Sequence, residues 1–219
     1  MRTTFQGELD QLRLQVELMA VRVGENLERM DRVLGSGDDA LAETALGADD
    51  EIDDMLVSLT ERCYDLLARE SPVAGDLRFI VSVLRILEEL ERIGDLSLRV
   101  VKQVPDHHLL TEHPSVLACL TSMAGLARDL YRTALDAWSA QDLDGAIALV
   151  DRSRDMDERY QRLVALLIDL DGPSAPRVAI VAVLMGRALG RIADHTVIVG
   201  ERLRYLLTGD PAHLKAEVR

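Results

Sequence analysis

Apolar residues recur at three- and four-residue intervals along six long stretches of the chain. Leu9, Leu12, Val16, Met19, Val23, Leu27 and Met30 show the spacing, and so do Ile80, Val83, Leu84, Leu87 and Leu90. Such spacing gathers the side chains on one face of a helix, and no stretch alternates with the two-residue period of a half-buried strand. Clusters of helix breakers separate the stretches: GSGDD (Gly35 to Asp39), ESPVAGD (Glu70 to Asp76), PDHHLLTEHPS (Pro105 to Ser115), QDLDG (Gln141 to Gly145) and DGPSAP (Asp171 to Pro176). Ser115, Asp142 and Ser174 stand where helix N-caps are expected. The pattern predicts an all-α chain of six helices of roughly 25 to 30 residues, each about 40 Å long at 1.5 Å per residue. Short connections join antiparallel neighbours, so the helices group as two tandem up-down-up three-helix bundles. The longer loop at Pro105 to Ser115 divides them into residues 1–106 and 107–219.

The two halves share a spelling. ERIGD ends at Asp95 and GRIAD ends at Asp194, 99 positions later, each in the third helix of its half. Arg78 and Arg177 keep the same offset. Recurrence at one fixed period reads as an internal duplication.

The acidic residues add a candidate site. Positions four apart share a helix face, which pairs Glu91 with Asp95 on the third helix and Asp49 with Asp53 on the second. If the hairpin between these helices folds back about Pro72, Asp49 comes level with Asp95 and Asp53 with Glu91. Four like charges so placed repel one another, and protonation, a neighbouring arginine such as Arg92, or bound cations would neutralise them. All-oxygen ligation suits hard ions such as Mg²⁺, Ca²⁺, Mn²⁺ or iron, and four acids have room for more than one. In the second half, folding back near Pro173 and Ser174 sets Ser153 against Asp194 and Asp157 against Gly190. Two of the four acids are missing there, leaving Asp157 and Asp194 as a weaker metal site, with Asp151 and Asp155 as stand-ins after a local shift.

Charge and composition exclude some functions. Of 219 residues 48% are hydrophobic and 29% charged, a soluble globular balance with enough apolar residues for a sizeable core. A formal net charge of −13 repels nucleic-acid phosphates and anionic lipid headgroups, and 3% aromatics offer little base stacking. The longest apolar run, Val178 to Met185, is far shorter than the roughly 20 residues that cross a bilayer. Nucleic-acid binding and direct membrane insertion are therefore not expected. Cys63 and Cys119 have no metal or disulfide spacing and read as reduced core thiols of a cytosolic protein. His107, His108 and His113 share the inter-bundle loop and read as solvated, with transition-metal capture as the alternative. His195 reads as a hydrogen-bonded structural residue or a ligand, and Trp138 as a core anchor. No phosphate-binding loop, nucleophile elbow, zinc-protease motif or Glu-x-x-His pair is present, so no catalytic residue is assigned.

The stretch SPVAGDLRFIVSVLRILEELERIGD (Ser71 to Asp95) closely resembles the signature of the PhoU family, in which a Pro-x-Ala-x-Asp-Leu-Arg turn leads into a helix ending Leu-Glu-Arg-Ile-Gly-Asp. GRIADHTVIVGERLRYLLTGD (Gly190 to Asp210) is similar to the second-repeat version in actinobacterial members. The resemblance implies paired three-helix bundles, commonly dimeric, each able to hold a metal cluster through two Glu/Asp-x-x-x-Asp motifs. Those motifs fall on Asp49 with Asp53 and on Glu91 with Asp95. The implied ligand is a divalent or trivalent ion (Fe, Mn, Mg or Zn), in a cluster of one or more atoms. The implied role is a cytoplasmic negative regulator of the phosphate-starvation response, without enzymatic turnover. It would link the ATPase subunit of a phosphate ABC transporter to a sensor histidine kinase. The rival readings are an all-α carboxylate-metal protein with redox or hydrolytic activity, and a metal-free helical scaffold.

Overall fold

The computed structural model describes residues 2–215, and the side chains of residues 2–4 and of Asp49 lie outside the described set. The helices are α1 (Arg2–Ser36), α2 (Asp39–Leu46), α3 (Asp49–Glu70), α4 (Ala74–Val101), α5 (His107–Thr111), α6 (Pro114–Ala140), α7 (Leu143–Ile168) and α8 (Ala175–Thr208). Short 3-10 turns cover Val104–Asp106 and Pro211–Lys215, and there is no strand among the described residues. The long helices α1, α3 and α4 form the first three-helix bundle and α6, α7 and α8 the second, the architecture that the apolar periodicity predicts.

Three local differences have physical causes. The expected second helix is broken at Gly47, so the short α2 stands apart, capped by Asp38, whose carboxylate accepts from the Leu41 N–H at 3.1 Å. The connection between the bundles is not a solvated loop. Leu110 and His107 lie three residues apart on one face, so carrying Leu110 fully into the core takes His107 with it. His107 is buried, its Nε2 2.9 Å from the Leu34 carbonyl, whereas His108 is exposed, with Nδ1 3.0 Å from the Pro105 carbonyl. Finally, α6 starts at Pro114 with His113 at the N-cap, two residues earlier than a Ser115 cap allows. Proline suits that first position because its φ is preset and it has no N–H to satisfy. Asp142 does cap α7, accepting from the Asp144 N–H at 3.0 Å. Ser174 occupies the N-cap of α8 without a side-chain cap bond. Pro176, two residues on, supplies no N–H for it to accept.

The two bundles share one core. Helix α4 packs along α8, α1 contacts both α4 and α6, and α6 contacts α8. Helix α3 touches α1 and α4, and α7 touches α6 and α8, so these two lie on the outside of their bundles. Polar contacts cross the seam at several levels. The Tyr131 hydroxyl donates to the Ala20 carbonyl at 2.6 Å, Arg128 pairs with Asp31, and His195 meets Glu89. The Trp138 and Phe79 rings stack at 6.4 Å, with the Arg13 guanidinium 4.9 Å above Phe79. Trp138 is buried, as a core anchor should be. Cys63 and Cys119 are free and buried, and burial pushes the Cys63 thiol up to about 12.

Candidate functional site

The α3–α4 hairpin turns through Ser71, whose left-handed φ of 46° ends α3. A Cβ added at Gly94 would lie 3.6 Å from the Ile52 side chain, an ordinary packing distance, so α3 and α4 are neighbours at that height. Asp53 follows Ile52 on α3, and Glu91 and Asp95 flank Gly94 on α4. Asp53 is exposed, while the Glu91 and Asp95 side chains are 21% and 36% accessible. Arg92 reaches over both, with Nε 3.6 Å from Glu91 and a terminal nitrogen 3.9 Å from Asp95. The side chain of Asp49, the fourth candidate, lies outside the described residues, although its backbone opens α3. Among the described residues, no group of three or more His, Cys, Asp or Glu converges to hold a metal ion. The donors on this face are hard oxygens on two facing helices, the chemistry that Mg²⁺, Mn²⁺ or iron takes.

The second repeat opens where the first is filled with acid. A cleft of about 710 Å³ runs between α7 and α8, and Ser153, Asp157, Gly190 and Asp194 all line it. The structure thus brings together the four positions that the fold-back register pairs. Neither Asp151 nor Asp155 lines the cleft, and Asp151 instead pairs with Arg154 at 3.3 Å on the surface.

Two carboxylates that sequence reasoning missed lie on α4 and α8, Glu89 half-buried and Glu201 buried. Glu89 meets His195 Nδ1 at 2.6 Å across the seam, and Glu201 holds His213 Nδ1 at 2.9 Å, tying the C-terminal 3-10 turn to α8. Arg204 also pairs with Glu201. No helical spacing links residues 106 or 12 positions apart across turns, so nothing in the pattern signals these pairs.

The model of one family, the PhoU domain, matches residues 16–104 and 120–203. The chain belongs to the PhoU family. It is 32% identical over 213 residues to a Mycobacterium tuberculosis protein named phosphate-specific transport system accessory protein PhoU homolog 1, covering 95% of each chain. The Escherichia coli K12 phosphate-specific transport system accessory protein PhoU is 26% identical over 208 residues, which cover 94% of this chain and 86% of that one. The crystal structure of PhoU from Pseudomonas aeruginosa superposes with a TM-score of 0.87 at 28% identity, covering 94% of this chain and all of that one. PhoU membership, read above from Ser71 to Asp95 and Gly190 to Asp210, therefore holds along both repeats. No helix among the described residues is long and apolar enough to cross a membrane.

Proposed function

We propose that this protein is a regulatory accessory of a phosphate-specific transport system. In this reading it is a cytoplasmic adaptor that links the ATPase subunit of the transporter to a sensor histidine kinase and restrains the starvation response when phosphate is plentiful. The observation that carries the reading is the nearly full-length match to proteins named as accessories of that system. The mode of action is docking, not turnover. Helix α1 offers Leu14, Leu18 and Val21, which are exposed and close to one face, and Val57 of α3 is exposed as well. Such surface suits a partner or a second copy in a homodimer.

Metal binding is part of the proposal. Asp49, Asp53, Glu91 and Asp95 would hold the ion or ions, and Asp157 with Asp194 would do so more weakly. A bound cation would neutralise the facing carboxylates and cross-link α3 to α4. Arg92, more than half exposed, already pairs with Glu91 and Asp95 on α4.

Deletion in the source organism tests the regulatory role: phosphate-scavenging genes should be derepressed in phosphate-rich medium, and unchanged expression would overturn it. Pull-down with the cytoplasmic region of the kinase tests the link. Metal content of protein purified without chelator should fall to background in the Asp49→Asn/Asp95→Asn variant.

A further inference from the structure

The two outer grooves can be compared position by position. Helix α8 repeats α4 at an offset of 99, and the level pairs place α7 on α3 at an offset of 104. Burial agrees with this mapping, because Ile52 and Leu59 fall on Met156 and Leu163 and all four are buried. At the groove the charge reverses. Asp50 and Glu88 have arginine counterparts, Arg154 and Arg187, while Asp49 and Glu91 have the uncharged Ser153 and Gly190. Only Asp53, Arg92 and Asp95 keep their charge, as Asp157, Arg191 and Asp194. At these seven positions, six carboxylates and one arginine in the first repeat become two carboxylates and three arginines in the second, while Glu201, which also lines the second groove, stands where the first repeat has Lys102.

These arginines face the α7–α8 cleft. Arg187 and Arg191 stand one turn apart on α8 and both line it, exposed, and neither is bonded to a carboxylate among the described residues. Two guanidinium groups at this spacing repel each other and are satisfied by an anion between them. Lys215 adds a further positive charge to the lining. Glu201, one of the acids on the cleft, is already held by Arg204 and His213. An added Cβ at Gly190 would have no atom within 4 Å, so the floor between the arginines is open. The volume is that of a small-molecule site, far more than a lone oxyanion needs. The guanidinium fork matches phosphate oxygens two at a time.

We propose that the cleft between α7 and α8 binds a polyphosphate-bearing anion, gripped by Arg187 and Arg191. Nucleotides and inorganic polyphosphate chains share that chemistry. The site is independent of the regulatory reading and of the first-repeat metal.

The test is isothermal titration of the full-length protein with ATP and with tripolyphosphate at low salt, using adenosine and inorganic phosphate as references. Saturable binding with Kd below about 1 mM, weakening as salt is raised, is expected for one or both polyphosphates. Tighter binding of ATP assigns the nucleotide as the source, and tighter binding of tripolyphosphate assigns the inorganic chain. The Arg187→Ala/Arg191→Ala variant should bind roughly tenfold or more weakly, with an unchanged thermal midpoint. Gly190→Glu, which leaves both arginines in place but sets a carboxylate between them, should weaken binding similarly. Arg99→Ala, on the exposed side of α4, should leave it unchanged. The proposal is overturned if neither polyphosphate saturates, if the double variant binds like the parent, or if Arg99→Ala costs as much.

Discussion

Glu89 of α4 and His195 of α8 meet at 2.6 Å in the seam between the repeats, with their side chains only 17% and 7% accessible. The other ring nitrogen of His195 is buried with no hydrogen-bond partner. The histidine therefore depends on one contact, and removing it strands a buried polar ring. Glu89→Ala is expected to lower stability by about 1–3 kcal/mol. Glu88→Ala, one residue away, removes an ion pair whose members are both 63% accessible and should stay within about 0.5 kcal/mol of the parent. Urea unfolding midpoints of the two variants, measured side by side, check the contrast.

The Asp31–Arg128 pair joins α1 to α6 and sets a pH dependence. Burial pushes the Asp31 carboxyl above its ordinary value, and Arg128 pulls it down by less. A carboxyl whose folded pKa is raised favours folding in its protonated form, so its contribution is present at low pH and is lost as pH rises through the folded pKa. Arg128→Met removes the compensating charge and should cost about 1–3 kcal/mol at neutral pH. The deficit relative to the parent should shrink as pH falls into the carboxylate range. Thermal midpoints across that range check it, and Asp31→Asn in the same background should abolish the trend.

Cys63 should be chemically silent. Its thiol is buried and pushed up to about 12, so almost no thiolate exists near neutral pH. Iodoacetamide at pH 8 should leave Cys63 unmodified in the folded protein and label it fully in denaturant, as read by mass spectrometry. The neutral thiol supports folding below its ordinary value of 9.0, and that support is lost as pH climbs from there toward 12.

The second-repeat groove can be turned back into an acidic one. Ser153→Asp with Gly190→Glu restores four carboxylates, and the open space at Gly190 accepts the new side chain without a clash. In a background lacking the first site through Asp49→Asn and Asp95→Asn, Mn²⁺ uptake should reappear on adding the pair. Replacing Gly190 in mid-helix should itself be neutral or favourable by up to about 1 kcal/mol. Gly186→Ala, by contrast, sets a methyl 2.6 Å from Leu163 and should destabilise by roughly 1–3 kcal/mol. Metal analysis and melting curves report both outcomes.

Local spacing carried much of this protein in its sequence. The three- and four-residue apolar rhythm defines the six long helices, because residues so spaced share a face whatever the rest of the chain does. The repeat of Arg-Ile-small-Asp announced the duplication, and the fold-back register picked out four positions that line the second-repeat cleft. Tertiary structure alone decided how the halves join. Helices α4 and α8 lie together in one core, so Glu89 finds His195 from 106 residues away, and Leu110 draws His107 out of solvent. It also decided that Arg187 and Arg191 line a cleft while Asp151 turns to a surface partner. Helical periodicity says which side chains share a face. Which face meets which is settled by burying the largest apolar surface at once, and that choice depends on the whole chain.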